Sequence, residues 1–377
     1  MTETHDDLLD KLKTSGMGVT LYGECRPAPP PVSVCSTEFA VPGYPAVTPV
    51  INKRMRVFVS KPVAEKGLRL LREAGMEVTV NDRELSAGEL AAACKHTDAL
   101  LAAGKYQIDA RFLERCSHLK GIALHSVGYD HVDIETATRL SIPVGNTPGV
   151  LDKSTSDVAF LLMLAVSRNA FYQYDQIKKG RWGASGLTED LGTELYGKTL
   201  GIFGLGRIGY EMAKKCVAAY GMRVIYHNRG KNREAEKELG AVYVPFEELL
   251  HQSDVLSVHA NLSAETQGLF DAAAFTRMKP TAIFINTARG GLHNEDDLTG
   301  ALESRSIWGA GLDVADPEPM SKNNPLTGMP YVCVLPHIGS ATAETRDAMS
   351  ETAARNLIAA LKGQRMPAVV NPEVYGR

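Results

Sequence analysis

The sequence predicts an α/β fold of two lobes, each a doubly wound parallel sheet, with a cleft between them. From Arg56 onward short apolar, strand-like segments alternate with helical ones, and strands separated by helices pair in parallel. A second series of the same kind starts at Thr199, after a long helical stretch and a polar, Gly-rich one from Gly180 to Gly197. The length of 377 residues fits two domains better than one.

Before the first strand lie 54 residues of a different character. Seven prolines fall between Pro27 and Pro49 and no strand or helix period lasts, so this part reads as a flexible or extended arm, with room for a short helix at Asp7 to Lys13. The first α/β series then places strands at Arg56–Ser60, Glu77–Val80, Asp98–Leu101, Gly121–Leu124 and Ile142–Val144. Helices are expected at Val63–Ala74, ending at Gly75, and at Ser86–Cys94 with Ser86 as the cap. One long helix is expected from Ser154 to about Lys179, opened by Ser154 and Asp157 in an S-x-x-D pattern. The second series places strands at Thr199–Phe203, Arg223–Tyr226, Ala241–Val244, Val255–Val258, Ala282–Ile285, Ala310–Asp313 and Val332–Leu335, and a last helix at Ala343–Leu361.

Composition narrows the function classes. With 41 Lys plus Arg against 44 Asp plus Glu, the formal charge is -3, which disfavours nucleic-acid and membrane-surface binding. The longest apolar run, Val158 to Val166, is too short to span a bilayer, and the acidic start Met1 to Asp7 does not read as a targeting segment. Cysteines at 25, 35, 94, 116, 216 and 333 form no CxxC, so free thiols in a reducing, cytoplasmic setting are expected and no metal site is. Trp182 and Trp308 read as packing residues. Histidines 125, 131, 227, 259 and 293 read as structural or surface residues, with His125, near the cleft, the exception worth following.

The strand Thr199–Phe203 runs into Gly204-Leu205-Gly206-Arg207-Ile208-Gly209 and then a helix, the G-x-G-x-x-G spacing in the context its mechanism requires. The first glycine permits the tight turn, the second lets backbone approach a pyrophosphate, and the third packs helix on strand, while the helix start offers N–H groups to the phosphates. An NAD-preferring unit ends its second strand in a carboxylate that holds the ribose. Here that strand ends His227-Asn228-Arg229, with no carboxylate and with an arginine that suits a 2′-phosphate. NADPH is therefore expected over NADH, the alternative being a solvated surface Arg229.

Three strand ends deliver chemistry to one edge. Ile285-Asn286-Thr287-Ala288-Arg289-Gly290-Gly291 brings an arginine, the stretch from Gly309 to Pro319 brings Asp313, Asp316 and Glu318, and Pro336-His337-Ile338-Gly339 brings a histidine. An arginine, a carboxylate and a histidine at strand ends suit acid–base work on an anionic carbonyl compound. The bland alternatives are a satisfied core histidine and a structural ion-pair partner.

With these motifs in this order, joined by Ser126-Val127-Gly128-Tyr129-Asp130 and Asn146-Thr147-Pro148-Gly149-Val150, the chain resembles the D-isomer-specific 2-hydroxyacid dehydrogenases over Met55 to Pro372, and most of all the glyoxylate/hydroxypyruvate reductase branch. The resemblance implies two flavodoxin-like or Rossmann lobes. Residues 1–54 would be the Pro-rich extension, 55–154 and 336–377 the two parts of a substrate lobe, and 155–335 the dinucleotide lobe. It implies hydride transfer to a small 2-keto acid with His337 as general acid/base, Glu318 as its partner and Arg289 on the substrate carboxylate, helped by backbone N–H groups of Val127 and Gly128. Asp313 would hold the nicotinamide amide, with Gly204, Gly206, Arg207, Ile208, Gly209, Asn228, Arg229, Ala260, Asn261, Thr287 and Gly339 also on the cofactor side. Glu318 should raise the pKa of His337. A homodimer is implied, and Asp130 is read as a turn or interlobe hydrogen-bond former. A 2-ketogluconate reductase of the same family, or a cofactor-sensing corepressor of the same fold, remain as alternatives.

Overall fold

In the computed structural model, residues 54–183 and 187–376 are described. The arm and the helix expected at residues 7–13 lie outside them.

The first sheet has five parallel strands, β1 (Arg56–Val59), β2 (Glu77–Val80), β3 (Ala99–Ala102), β4 (Ile122–Leu124) and β5 (Val144–Gly145), in the order β2-β1-β3-β4-β5. Of its inner strands, β3 and β4 are apolar throughout and fully buried and β1 is so after Arg56, because helices cover both faces. On one face lie α1 (Glu65–Glu73) and α12 (Ala343–Leu361), whose Leu68, Leu71, Ala353, Ala354 and Leu357 bury against Val57, Val59 and Leu101. On the other lie α2 (Ala87–Cys94), α3 (Ala110–Arg115) and α4 (Ile134–Arg139). Ser86 caps α2 as expected. Its side chain accepts from the Glu89 N–H and Glu89 reaches back to the Ser86 N–H, a complete capping box.

The second sheet has seven parallel strands, β6 (Thr199–Phe203), β7 (Arg223–His227), β8 (Val242–Tyr243), β9 (Val255–Val258), β10 (Ile283–Asn286), β11 (Gly309–Leu312) and β12 (Val332–Val334), in the order β12-β11-β10-β9-β6-β7-β8. The order reverses between β6 and β9, and ligands of open α/β sheets bind beyond the strand ends at such a switch point. One face is packed by α5 (Asp152–Ser167) and α7 (Arg207–Tyr220) through Leu162, Met163, Met212 and Cys216. The other is packed by α9 (Phe246–Gln252), α10 (Ala272–Arg277) and α11 (Glu295–Glu303), through Leu249, Phe275 and Leu298. Fully burying each such Leu or Phe is favourable by about 1.5–3 kcal/mol, so these faces hold the sheet. The short helix α8 (Arg233–Leu239) follows β7 and buries Ala235 in the same core as Tyr226.

The long helix expected from Ser154 to Lys179 is two helices, a correction. The first, α5, already begins at Asp152, and Ser154 makes no cap but donates its hydroxyl to the Leu151 carbonyl at 3.2 Å. The helix stops at Ser167 because the chain returns there. Thr193 N–H donates to the Ser167 carbonyl at 2.8 Å, and Asn169 turns left-handed at φ 52° before α6 (Ala170–Lys178) starts. Trp308 packs on Tyr331 with ring centroids 4.6 Å apart, but Trp182, expected to pack, is 83% exposed. Cys94, Cys116, Cys216 and Cys333 are buried free thiols.

Candidate active site

The glycine turn follows β6 at the switch point. Gly204 has φ 94°, and a side chain there would lie 2.6 Å from the Ala260 backbone nitrogen, so only glycine fits both the turn and the close passage of the chain leaving β9. A Cβ on Gly209 would meet the Gly204 carbonyl oxygen at 2.8 Å, whereas one on Gly206 would meet nothing within 4 Å. Two glycines thus close the turn while the middle one borders open space at the start of α7. Helix starts present unpaired N–H groups, so the amides after Gly206 suit a pyrophosphate. The residues present fit the dinucleotide the sequence calls for.

Around this turn the other residues expected on the cofactor side differ in their engagements. Asn228 is tied to the turn itself. It accepts from the Leu205 N–H at 2.6 Å and donates to the Leu205 carbonyl at 3.2 Å, so its side chain braces the glycine loop. Arg229 is exposed beyond the end of β7. The Arg207 side chain leaves the turn and lies alongside Gly149, while Arg207 and Ile208 form the first turn of the helix. Thr287 lies 3.5 Å from Nδ1 of His259, whose Nε2 pairs with the Ser257 hydroxyl at 2.8 Å. Burial pushes His259 down to about 3, so it stays neutral. The carbonyl of Asn261 accepts from the Thr266 hydroxyl at 2.8 Å.

The cleft is lined by side chains from both lobes. Arg289 follows β10 on a loop held by buried Asn286, which donates to the Arg289 carbonyl at 2.8 Å and accepts from the Ala288 N–H at 3.0 Å. Its Nε donates to Asp130 of the first lobe at 2.9 Å and Nη1 to the Ala288 carbonyl at 2.8 Å. The guanidinium occupies the space a Gly128 side chain would need, 1.7 Å from where that Cβ would stand. Asp130 is thus the interlobe partner the sequence suggested. Burial would push its carboxyl up, but the charge and hydrogen bond of Arg289 outweigh this and hold it below the usual range.

Beside Gly128, three bonds orient the Ser126–Gly128 peptides. Ser126 O accepts from the Thr147 N–H at 2.9 Å, Val127 O accepts from Asn146 at 2.8 Å, and the Ser126 hydroxyl donates to Gly128 O at 2.8 Å. In a trans peptide the N–H points opposite to the preceding carbonyl, so the Val127 and Gly128 amides face away from Asn146 and Thr147.

His337 sits just past β12 with φ 57°, a left-handed conformation held by the loop that follows. Asp313, buried at the end of β11, accepts from the Ile338 N–H at 2.8 Å and the Gly339 N–H at 2.7 Å and so pins that loop. Burial raises the Asp313 pKa against the effect of these two bonds. The Nδ1 of His337 pairs with Oε1 of Glu318 at 2.8 Å.

The pKa expectation for His337 is overturned. Burial first, then the positive charges of Lys105, Arg289 and Arg346, push the ring down to about 4, with Asp313 opposing. The sequence argument considered one carboxylate and missed three cations. Lys105, from the turn after β3, pairs with Glu318 and was not foreseen as a site residue. The signal was there, since Gly104-Lys105 directly follows a strand's carboxyl end. His125 is half-buried, with its Nε2 buried and unpartnered among the described residues and its pKa lowered by burial to about 4. Among the described residues no group of His, Cys, Asp and Glu could hold a metal, and no helix is long and apolar enough to cross a membrane.

A switch-point dinucleotide turn beside an Arg, Glu and His cleft defines a nicotinamide-dependent oxidoreductase. Residues 160–339 match the family model of the D-isomer specific 2-hydroxyacid dehydrogenase, NAD binding domain. The glyoxylate reductases of Pyrococcus furiosus and Thermococcus litoralis are each 41% identical over 324 residues, covering 85% of this chain and 96% and 97% of theirs. Among solved structures, a glyoxylate reductase from Paecilomyes thermophila superposes with a TM-score of 0.76 at 32% identity, covering 85% of this chain and 99% of that one. An NADPH-dependent glyoxylate/hydroxypyruvate reductase from Sinorhizobium meliloti, in complex with NADP and malonate, gives 0.75 at 31% identity, covering 85% and 98%. The chain belongs to the D-isomer-specific 2-hydroxyacid dehydrogenase family.

Proposed function

We propose that the protein is a cytoplasmic, homodimeric reductase that converts a small 2-keto acid, glyoxylate or hydroxypyruvate, to the D-2-hydroxy acid with NADPH. The observation that carries this reading is the His337–Glu318 pair in the same cleft as the Arg289 guanidinium, whose charge acts on the His337 ring. The bound nicotinamide supplies the hydride. Arg289 takes the substrate carboxylate with the N–H groups that Asp130 and Ala288 leave free, beside the Val127 and Gly128 amides. With Glu318 on Nδ1, Nε2 of His337 is left to hand a proton to the forming alkoxide. The ring is neutral at pH 7 in the protein alone. An anionic substrate beside Arg289 offsets a charge that disfavours its protonation, so binding the substrate favours arming the acid. Residues 55–154 and 336–377 are read as the substrate lobe and 155–335 as the dinucleotide lobe. Gly204, Gly206, Gly209, Ala260, Thr287 and Asp313 are read as cofactor-side residues.

NADPH preference is supported by the exposed Arg229 and the missing carboxylate at the end of β7. The buried free thiols suit a reducing compartment. The dimer is supported by apolar exposure. Of nine large exposed hydrophobics among the described residues, seven (Leu161, Tyr174, Ile177, Trp182, Leu187, Leu191 and Tyr196) fall in one stretch on and after α5 and α6. Sedimentation equilibrium should give twice the 40.8 kDa chain mass, and a monomer at micromolar concentration would refute the pairing.

The function is tested by initial rates of NADPH and NADH oxidation with glyoxylate, hydroxypyruvate, 2-ketogluconate and pyruvate. Fast NADPH oxidation with the first two is expected, and Arg229→Ala should raise the KM for NADPH about tenfold while sparing NADH. Preference for 2-ketogluconate, or equal loss with both cofactors in the variant, would overturn the substrate or the 2′-phosphate assignment respectively.

A further inference from the structure

Lys105 is placed in the cleft by its neighbours. Gly104 turns the chain at φ 96°, with the Lys61 stem 3.1 Å from where a Cβ would stand. Tyr106 is buried and donates its hydroxyl to the Ser60 carbonyl at 3.4 Å. Lys61 is itself engaged by Glu84 and lies 5.9 Å above the Tyr106 ring. With both flanks fixed on the first lobe, the Lys105 side chain extends to Oε2 of Glu318, on the connection between β11 and β12 of the second. The other oxygen of that carboxylate serves His337. A glutamate carboxylate rotates in a broad, nearly two-fold well, so one bond at Oε1 does not fix its plane, whereas a charge-assisted contact at each oxygen does.

We propose that Lys105 is a positioning residue for the acid–base step: reaching across the cleft, it holds Oε2 of Glu318 so that Oε1 stays on Nδ1 of His337. The acid–base pair is thereby complete only when the two lobes meet. This rests on the reading of His337 as general acid. The groups facing the ring are Glu318, Asp313, Lys105, Arg289 and Arg346, and those facing Lys105 are Glu318, Asp130, Asp316, Arg289, His131 and His337.

The test compares Lys105→Met, Lys105→Arg, His337→Ala and the parent protein in glyoxylate reduction from pH 5 to 9. Histidine-selective NMR follows the His337 ring, identified by its loss in His337→Ala, and cofactor titration checks that each variant is folded. Lys105→Met should lower kcat about tenfold with cofactor affinity unchanged. It should also raise the His337 titration by about one unit, because loss of the Lys105 cation outweighs the looser hold of Glu318 on the ring. Lys105→Arg should restore both. A change in KM alone would make Lys105 a substrate contact, and an unmoved ring titration would make its role merely structural. Either overturns the proposal. Full turnover in His337→Ala, or no glyoxylate turnover in the parent protein, would instead sink the functional reading, since the ring titration needs no substrate.

Discussion

The glycine turn at 204–209 and the charged cleft both lie at strand ends, yet one is built of backbone and the other of side chains drawn from two lobes. The turn is contiguous, and its shape follows from the room each glycine has, two positions closed and one open. In the cleft, residues 105 and 130 meet residues 289, 318 and 337, each charge paired with one opposite. A backbone site is specified locally and fails by steric change. A charge site is specified by topology and fails by loss of partners. Each region also leans on a neutral histidine, half-buried His259 behind the turn and buried His293 behind the Arg289 loop, where Asn286 meets its Nδ1 at 3.1 Å.

The larger expected effect breaks the backbone site. Gly204→Ala must adopt φ 94° with its Cβ against the Ala260 backbone, at a cost of about 2–4 kcal/mol. NADPH affinity, read by fluorescence titration, should fall about a hundredfold, and the thermal midpoint should drop by several degrees. Unchanged affinity would mean the turn does not hold the cofactor.

A smaller effect sharpens what the two regions share. Burial lowers His259 to about 3 and His293 to about 4, so each binds fewer protons folded than unfolded between that value and its ordinary 6.5. Stability is full above pH 6.5 and lost as pH falls through this window, by about 1–2 kcal/mol for each histidine at pH 5. Urea unfolding at pH 7 and 5 measures it, and His293→Gln should flatten its share of the slope. Equal stability at the two pH values would contradict the burial of both rings.

What the sequence made legible follows the same division. The strand β6, the turn and α7 could be placed because apolar period and glycine spacing are local signals, and α12 was expected at its observed limits for the same reason. The break at Asn169 was hidden because it is caused by backbone from residue 193 returning to Ser167. Asn228 was expected on the cofactor side, but its bonds to Leu205 depend on how β7 aligns with β6. Arg289, Glu318 and His337 were legible as strand-end residues, whereas Lys105 and the direction of the His337 shift depend on which charges the other lobe brings up.

The return of α12 to the first sheet also sets an order of assembly. Val57, Val59, Leu101 and Ala123 share a core with Ala353, Ala354, Leu357 and Met366, residues about 230 to 310 positions later. During synthesis the second sheet, with all its strands between residues 199 and 334, is complete while one face of the first, covered by α1, still lacks α12. The lobe that begins first therefore finishes last, and part of its apolar face stays uncovered until α12 has been made.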